Sequence, residues 1–269
     1  MMFGLTILGN NSAVPAFNRN PTSQVLTYDG NNYLIDCGEG TQIQLMRYKI
    51  RRSKISHIFI SHLHGDHYFG LIGLINSFGL LNRQQELHIY GPAALKKVID
   101  LQLEISDTKL PFPLHFHEIN KAAVLVDTEK IRISCFPTNH RIACFGFSFE
   151  EKKIPRKAIP ENADRENTPG RKYAYCADTK YDESLITIIK DFDLVYHEST
   201  YLHDQELKAA ERYHSTAKQA ATLAHKAGVK KLIIGHFSSK YSDLSGFETE
   251  AKEVFPNTAL AIEGTTYLI

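Results

Sequence analysis

One stretch constrains this chain more than any other: Ser-His-Ile-Phe-Ile-Ser-His-Leu-His-Gly-Asp-His-Tyr-Phe-Gly, from Ser56 to Gly70. The β-branched and aromatic run Ile55 to Ser61 predicts a buried strand, and the apolar spacing from Tyr68 to Leu81 predicts a helix. His62, His64, Asp66 and His67 therefore fall at the carboxyl end of a strand, where open α/β sheets place their sites. In an extended segment His62 and His64 point to the same side and can chelate one ion. Asp66 and His67 follow the turn at Gly65 and can serve a second ion. Imidazole together with carboxylate suits zinc, manganese or iron, with zinc the first expectation. The competing reading is a histidine-rich surface loop, since the chain holds 13 histidines in 269 residues. The hydrophobic strand before the motif and the hydrophobic helix after it favour ligands.

The length allows one large domain or two small ones and is ample for a sizeable core. A net charge of +1 and a pI near 7.7 give no overall basic field. A nucleic-acid substrate would have to be held by a local patch. Cys37, Cys135, Cys144 and Cys176 are far apart and form no C-x-x-C pair, so they read as buried or free thiols in a reducing compartment. With no long apolar run and no charged-then-apolar leader, a soluble, cytoplasmic protein without membrane contact is expected.

In chain order, Phe3 to Leu8 reads as a strand, and Asn10 to Thr22 as a polar connection rich in turn residues. Gln24 to Tyr28 and Asn32 to Asp36 read as strands joined by a hairpin at Asp29-Gly30. Asp36-Cys37-Gly38-Glu39-Gly40 then leads into a helix from Thr41 to Tyr48. Its glycines permit close backbone approach, and its carboxylates can orient ligand histidines from behind. Glu86 to Tyr90 reads as a strand, with a helix after Gly91-Pro92. His88, His115 and His117 read as surface or packing residues. Glu129 to Phe136 is a strand with Ile131, Ile133 and Cys135 inward, and His140 follows it. Phe145 to Phe149 is another strand. Residues 151–171 carry charge, three prolines and no periodicity, and read as a mobile loop.

The same arrangement then recurs. Lys172 to Cys176 is a strand ending at Asp178, and Asp191 to His197 a strand ending at Glu198. Glu211-Arg212-Tyr213-His214-Ser215-Thr216 opens an alanine-rich helix that stops at Gly228, with Ser215 or Thr216 as N-cap and His225 exposed. Lys231 to Ile234 is a strand followed by His236. Ligand-type residues thus recur just past strand ends, which points to one shared dinuclear site. Two half-patterns of strands and helices predict two α/β layers packed sheet on sheet, with no linker between them.

The central motif resembles that of the metallo-β-lactamase superfamily. Along essentially the whole chain, further segments resemble ribonuclease Z: Pro15 to Ser23, Ile-Asp-Cys-Gly-Glu-Gly-Thr-Gln at Ile35 to Gln42, the His140 segment and Ala177-Asp178-Thr179. They continue with His197-Glu198-Ser199-Thr200, His214-Ser215-Thr216 and Gly235 to Tyr241. The resemblance implies an α/β protein of αββα sandwich type, two mixed sheets face to face with helices outside, formed by residues 1–269 as one domain. It implies a homodimer that removes the 3′ trailer of precursor tRNA, leaving a tRNA 3′-hydroxyl and a trailer 5′-phosphate. Two zinc ions per chain are implied, with manganese or another divalent ion as the alternative. His62, His64 and His140 would hold one ion and Asp66, His67 and His236 the other, with Asp178 bridging. Asp66 would also orient or deprotonate the attacking water, and His214, steadied by Glu198, would protonate the leaving oxygen. Arg19, Asn20 and Lys240 become substrate contacts, and Ser215 and Thr216 offer helix-start N–H groups to a phosphate oxygen.

One departure stands out. Members of that family carry a long arm between the third histidine and the bridging aspartate, whereas His140 and Asp178 are only 38 positions apart. Residues 151–171 would be a reduced arm. The short arm keeps a second expectation open, a metal-dependent phosphodiesterase acting on small or cyclic phosphodiesters. A nucleic-acid-binding protein with a structural metal fits less well, because such sites close with four ligands. A glyoxalase-type thioester hydrolase is disfavoured by the His-Glu-Ser-Thr and His-Ser-Thr segments.

Overall fold

In the computed structural model, which describes residues 2–152 and 170–269, the chain forms fourteen strands among the described residues. The first half supplies β1 (Phe3–Gly9), β2 (Ser23–Tyr28), β3 (Asn31–Cys37), β4 (Ile55–Phe59), β5 (Leu87–Gly91) and β6 (Leu114–Glu118). The second supplies β7 (Ala123–Asp127), β8 (Ile131–Pro137), β9 (Phe145–Glu151), β10 (Lys172–Cys176), β11 (Leu194–Glu198), β12 (Leu232–Gly235) and β13 (Thr258–Leu260), and the last strand, β14 (Thr266–Leu268), returns to the first sheet. One sheet runs β14-β1-β2-β3-β4-β5-β6 and the other β13-β12-β11-β10-β9-β8-β7. Both are mixed: β3 to β6 and β10 to β13 are parallel, and the remaining pairs are antiparallel.

Three apolar layers follow from this order. Phe3, Ile35, Phe59, Phe147, Phe149 and Tyr173 fill the space between the sheets. On the outer face of the first sheet, Leu34, Ile58 and Ile89 pack under helices α1 (Thr41–Arg47), α3 (Leu71–Leu80) and α4 (Ala93–Ile105), with the single turn α2 (Gly65–Tyr68) leading into α3. On the second sheet, Val195, Leu232 and Ile234 pack under α5 (Leu185–Ile188), α7 (Ala217–Ala227) and α8 (Ser245–Val254), and α6 (Glu206–Glu211) lies before α7. This is the αββα sandwich expected from the motifs. No helix among the described residues is long and apolar enough to cross a membrane.

Several elements differ from the periodicity. The helix expected from Tyr68 to Leu81 divides into α2 and α3, because the Gly70 N–H leaves the helical ladder and donates to the Cys37 carbonyl at 2.9 Å, an approach so close that an added Cβ would stand 2.2 Å from the Gly38 carbonyl oxygen. The strand expected from Asp191 starts at Leu194, because Asp191 takes a positive φ of 57° and Asp193 Oδ2 accepts the Lys172 N–H. At the β2–β3 hairpin Asp29 and Gly30 both have positive φ, as a two-residue turn of this hand requires. Strands β6, β7, β13 and β14 escaped the sequence reading because they are short, partly exposed edge strands. Most of the 151–171 loop lies outside the described residues; its start extends β9 through Glu151.

Candidate metal centre

The end of β4 aims its histidines at the seam between the sheets. There the Phe145 N–H donates to the Ser61 carbonyl at 3.1 Å, joining β9 to the residues after β4. His64 is extended (φ −74°, ψ 142°), so it stays on the side of His62, and α2 then carries Asp66 and His67 round the corner. His62 Nε2 lies 3.0 Å from His64 Nδ1, and His140 Nε2, from the loop after β8, lies 3.1 Å from the same atom. His67 Nε2 lies 3.3 Å from His236 Nε2, which is 3.3 Å from Asp66 Oδ2. His236 reaches this place with a positive φ of 61°, a strained backbone of the kind that functional sites retain.

Asp178, after β10, stands between the two groups. Its Oδ2 faces His62 at 3.6 Å and His140 at 3.8 Å, while its Oδ1 faces His67 at 3.4 Å and His236 at 3.3 Å. Oδ1 is buried and has no hydrogen-bond partner. An orphaned buried carboxylate oxygen is costly unless something not yet counted, such as a cation, neutralises it. Two clusters, His62-His64-His140-Asp178 and Asp66-His67-His236, bring their donor atoms close enough for one ion each. A third combination, Asp178-His214-His236, shares members with both; His214 belongs instead to Glu198, whose Oε1 is 2.8 Å from its Nδ1.

Protonation follows the same logic. Burial, reinforced by His67, holds His62 well below its ordinary pKa, and burial also lowers His140 and His64. Burial alone would raise Asp178, yet His236, His67 and His62 hold its carboxyl well below the usual range. Neutral imidazoles beside ionised carboxylates are the state that metal ligation requires. His67 is the exception. Burial disfavours its charge, but Asp178, Asp66 and Asp36 raise its pKa well above the ordinary value, so three carboxylates draw positive charge to this point.

The nitrogens facing away from the clusters are held as well. Asp36, fully buried, accepts from His67 Nδ1 (2.7 Å), Ser61 N (2.7 Å), Ser61 Oγ (2.9 Å) and Tyr175 OH (2.6 Å). His140 Nδ1 donates to the Tyr213 carbonyl at 2.9 Å, His236 Nδ1 lies 3.0 Å from Thr200 Oγ1, and His62 Nδ1 lies 3.0 Å from Ser61 Oγ. Each bond leaves the opposite nitrogen free to ligate. Beside them, Glu198 is buried and accepts on Oε1 from His214 Nδ1, Thr179 N and Ser215 N, and on Oε2 from Thr200 N and Oγ1. Burial lowers the pKa of His214, but Glu198 outweighs it and lifts the imidazole to about 9.

The model of the beta-lactamase superfamily domain matches residues 31–237. Ribonuclease Z of Bacteroides thetaiotaomicron is 40% identical, with 97% of this chain and 93% of that protein covered. Ribonuclease Z of Cytophaga hutchinsonii is 41% identical, with 100% and 97% covered. The crystal structure of human tRNase Z, short form, matches with a TM-score of 0.82 at 32% identity over 98% of both chains. The chain belongs to the ribonuclease Z family.

As a member of that family it is a metal-dependent hydrolase, and the remaining expected residues can be placed. Lys240 is exposed, with its ammonium 4.5 Å from the Tyr241 ring centroid and 5.3 Å from that of Tyr201. Arg19 spends its guanidinium on Asn11 Oδ1 and on the Tyr241 and Ser242 carbonyls, and Asn20 bonds Glu263 through both its backbone N–H and its amide. Arg19 thereby holds the loop that carries Lys240, and Asn20 holds the turn between β13 and β14. Ser215 and Thr216 correct the expectation placed on them. Both are fully buried, the Ser215 N–H is held by Glu198, and the Thr216 N–H by Gln219 in a capping box, so neither N–H is open to a phosphate. His88, His115 and His117 stack with one another and with Tyr90, away from both clusters. Sequence reasoning missed Ser61, Tyr175, Thr200 and Tyr213, whose roles depend on distant partners. It also missed Arg141, a cation placed directly after a ligand histidine.

Proposed function

We propose that this ribonuclease Z family member is a zinc-dependent endoribonuclease that removes the 3′ trailer of precursor tRNA. His62, His64 and His140 would hold one zinc ion and Asp66, His67 and His236 a second, with Asp178 available to both. The observation that carries this is the division of the two Asp178 oxygens between two histidine groups, 3.3–3.8 Å from four imidazole nitrogens. Paired divalent ions supply water activation near neutral pH and neutralise charge building on a phosphoryl group. Asp66 contributes an ionised carboxylate: burial works to raise it, but His67 and His236 hold it well below the usual range, and it also accepts the Ala13 N–H at 2.7 Å. Its role is to hold and orient the attacking water. His214 Nδ1 is engaged by Glu198, which leaves Nε2–H to protonate the leaving 3′-oxygen of the tRNA. The trailer departs with the 5′-phosphate.

The short connection between His140 and Asp178 does not favour the small-diester reading by itself, because curated relatives named Ribonuclease Z align over nearly the whole chain. A homodimer working in the cytoplasm is part of the proposal; Ile43 and Met46, one turn apart on α1 and both more than half exposed, offer a second copy an apolar contact. Cleavage of an end-labelled precursor tRNA by the metal-loaded protein tests the reading, with an aryl phosphodiester run in parallel. The expected result is a single cut beside the discriminator nucleotide, with kcat reduced about 10²–10⁴-fold in His214→Ala at unchanged metal content. Turnover of the aryl diester without a tRNA cut would move the function to small phosphodiesters.

A further inference from the structure

Five histidines line the two clusters, and four of them have a protein acceptor on the nitrogen that faces away: Ser61 Oγ for His62, Asp36 for His67, the Tyr213 carbonyl for His140 and Thr200 Oγ1 for His236. His64 does not follow this pattern. Its Nδ1 points into the cluster, at 3.0 Å from His62 Nε2 and 3.1 Å from His140 Nε2, so its Nε2 is the outward nitrogen. That nitrogen meets a donor, Nη2 of the exposed Arg141, at 2.9 Å. A guanidinium has five N–H donors and no acceptor.

The contact is a hydrogen bond only while the ring proton sits on Nδ1 and Nε2 offers its lone pair. Ligation through Nδ1 commits the Nδ1 lone pair to the ion, which places the single proton of the neutral ring on Nε2. Two donors then face each other at the mouth of the site, and both need an acceptor that no described residue supplies. We infer that Arg141 and the Nε2–H of His64 form a two-donor clamp for a non-bridging phosphate oxygen of the substrate. The inference rests on the dinuclear reading above and assigns Arg141 a positioning role beside the scissile bond.

The loop that carries the clamp is fixed in place. Thr138 Oγ1 donates to the Asp178 carbonyl at 2.8 Å, the Asn139 N–H to Thr179 Oγ1 at 3.1 Å, and the Lys180 N–H to the Asn139 carbonyl at 3.0 Å. Arg141 therefore stands on a segment cross-linked to the bridging aspartate. Its forked planar cation suits a phosphate better than a lysine would.

The test uses metal-loaded wild type, Arg141→Ala and Arg141→Lys, with metal content by mass spectrometry, inorganic phosphate binding by calorimetry, and KM and kcat on precursor tRNA. We expect Arg141→Ala to keep its metal, to bind phosphate about tenfold more weakly and to raise KM by a similar factor, with Arg141→Lys in between. Unchanged phosphate affinity in Arg141→Ala overturns the clamp. So does a loss of metal in Arg141→Ala restored in Arg141→Lys, which would make Arg141 a support for His64 alone. Phosphate binding decides the clamp even if the wild type fails to cut precursor tRNA, a failure that falls on the proposed substrate. A wild type that takes up no metal overturns both.

Discussion

Asp36 shows how much one buried carboxylate can organise. It accepts four hydrogen bonds, from His67, from Ser61 twice and from Tyr175, at a positive φ of 53° just before the end of β3. Asp36→Asn would turn an amide donor towards one of these donors. The expected result is a stability loss of about 3 kcal/mol or more and a metal affinity lowered by about 10–100-fold. Urea unfolding of the chelated protein and a metal titration separate the two effects. Unaltered metal affinity would mean that His67 is not a ligand held by Asp36. The sequence had already marked this carboxylate, because Ile-Asp-Cys-Gly-Glu-Gly closes a strand beside two glycines. Ser61, Thr200 and Tyr213 gave no comparable sign, since serine, threonine and tyrosine occur in every kind of surface and turn.

Across elements, the first sheet carries an aromatic row on its inner face where the parallel strands β4, β5 and β6 meet. His57 lies between Tyr33, whose ring is tilted by 40° at 5.6 Å, and His88, stacked at 4.9 Å, and His88 in turn stacks on His115 (4.9 Å). Burial, helped by His88 and His117 and opposed by Glu86, lowers His57 from the ordinary 6.5 to about 4. The folded state therefore binds fewer protons than the unfolded chain between those two values. The resulting stability is fully present above pH 6.5 and is lost as the pH falls through about 4. The displacement corresponds to ~3 kcal/mol at most. Unfolding of the chelated wild type and His57→Phe at pH 7 and pH 5 checks this, and the variant should lose less on acidification. Equal losses in the two proteins would contradict it.

At the scale of the whole molecule, the layer between the sheets draws on both halves of the chain, with Phe59 of β4 packed 5.4 Å from Phe147 of β9, ring to ring. Residues 1–269 are therefore expected to unfold as one domain, in a single calorimetric transition. Because both clusters sit on the seam between the halves, metal binding should stabilise that transition. Removing tightly bound metal is expected to cost about 4 kcal/mol and to lower Tm by on the order of 10 °C. Two separable transitions, only one of them moved by chelator, would contradict the single domain.

The sequence by itself determined the fold class and the chemistry of the donors. Strand-then-ligand is a local pattern: alternation and β-branching mark the strand, and the polar residue after it has nowhere to go but the sheet end. Only the tertiary structure decided which strand ends converge. His67 and His236 are 169 residues apart and meet at 3.3 Å because β4 and β12 lie in different sheets whose carboxyl ends share one seam. It also decided how nearby groups are spent. Ser215 and Thr216 look like open helix-start donors in the sequence, but burial commits their N–H groups to Glu198 and Gln219, while Arg141, unremarked beside His140, is left at the mouth facing His64. Local spacing fixes what a residue can do, and long-range packing fixes which partner it has.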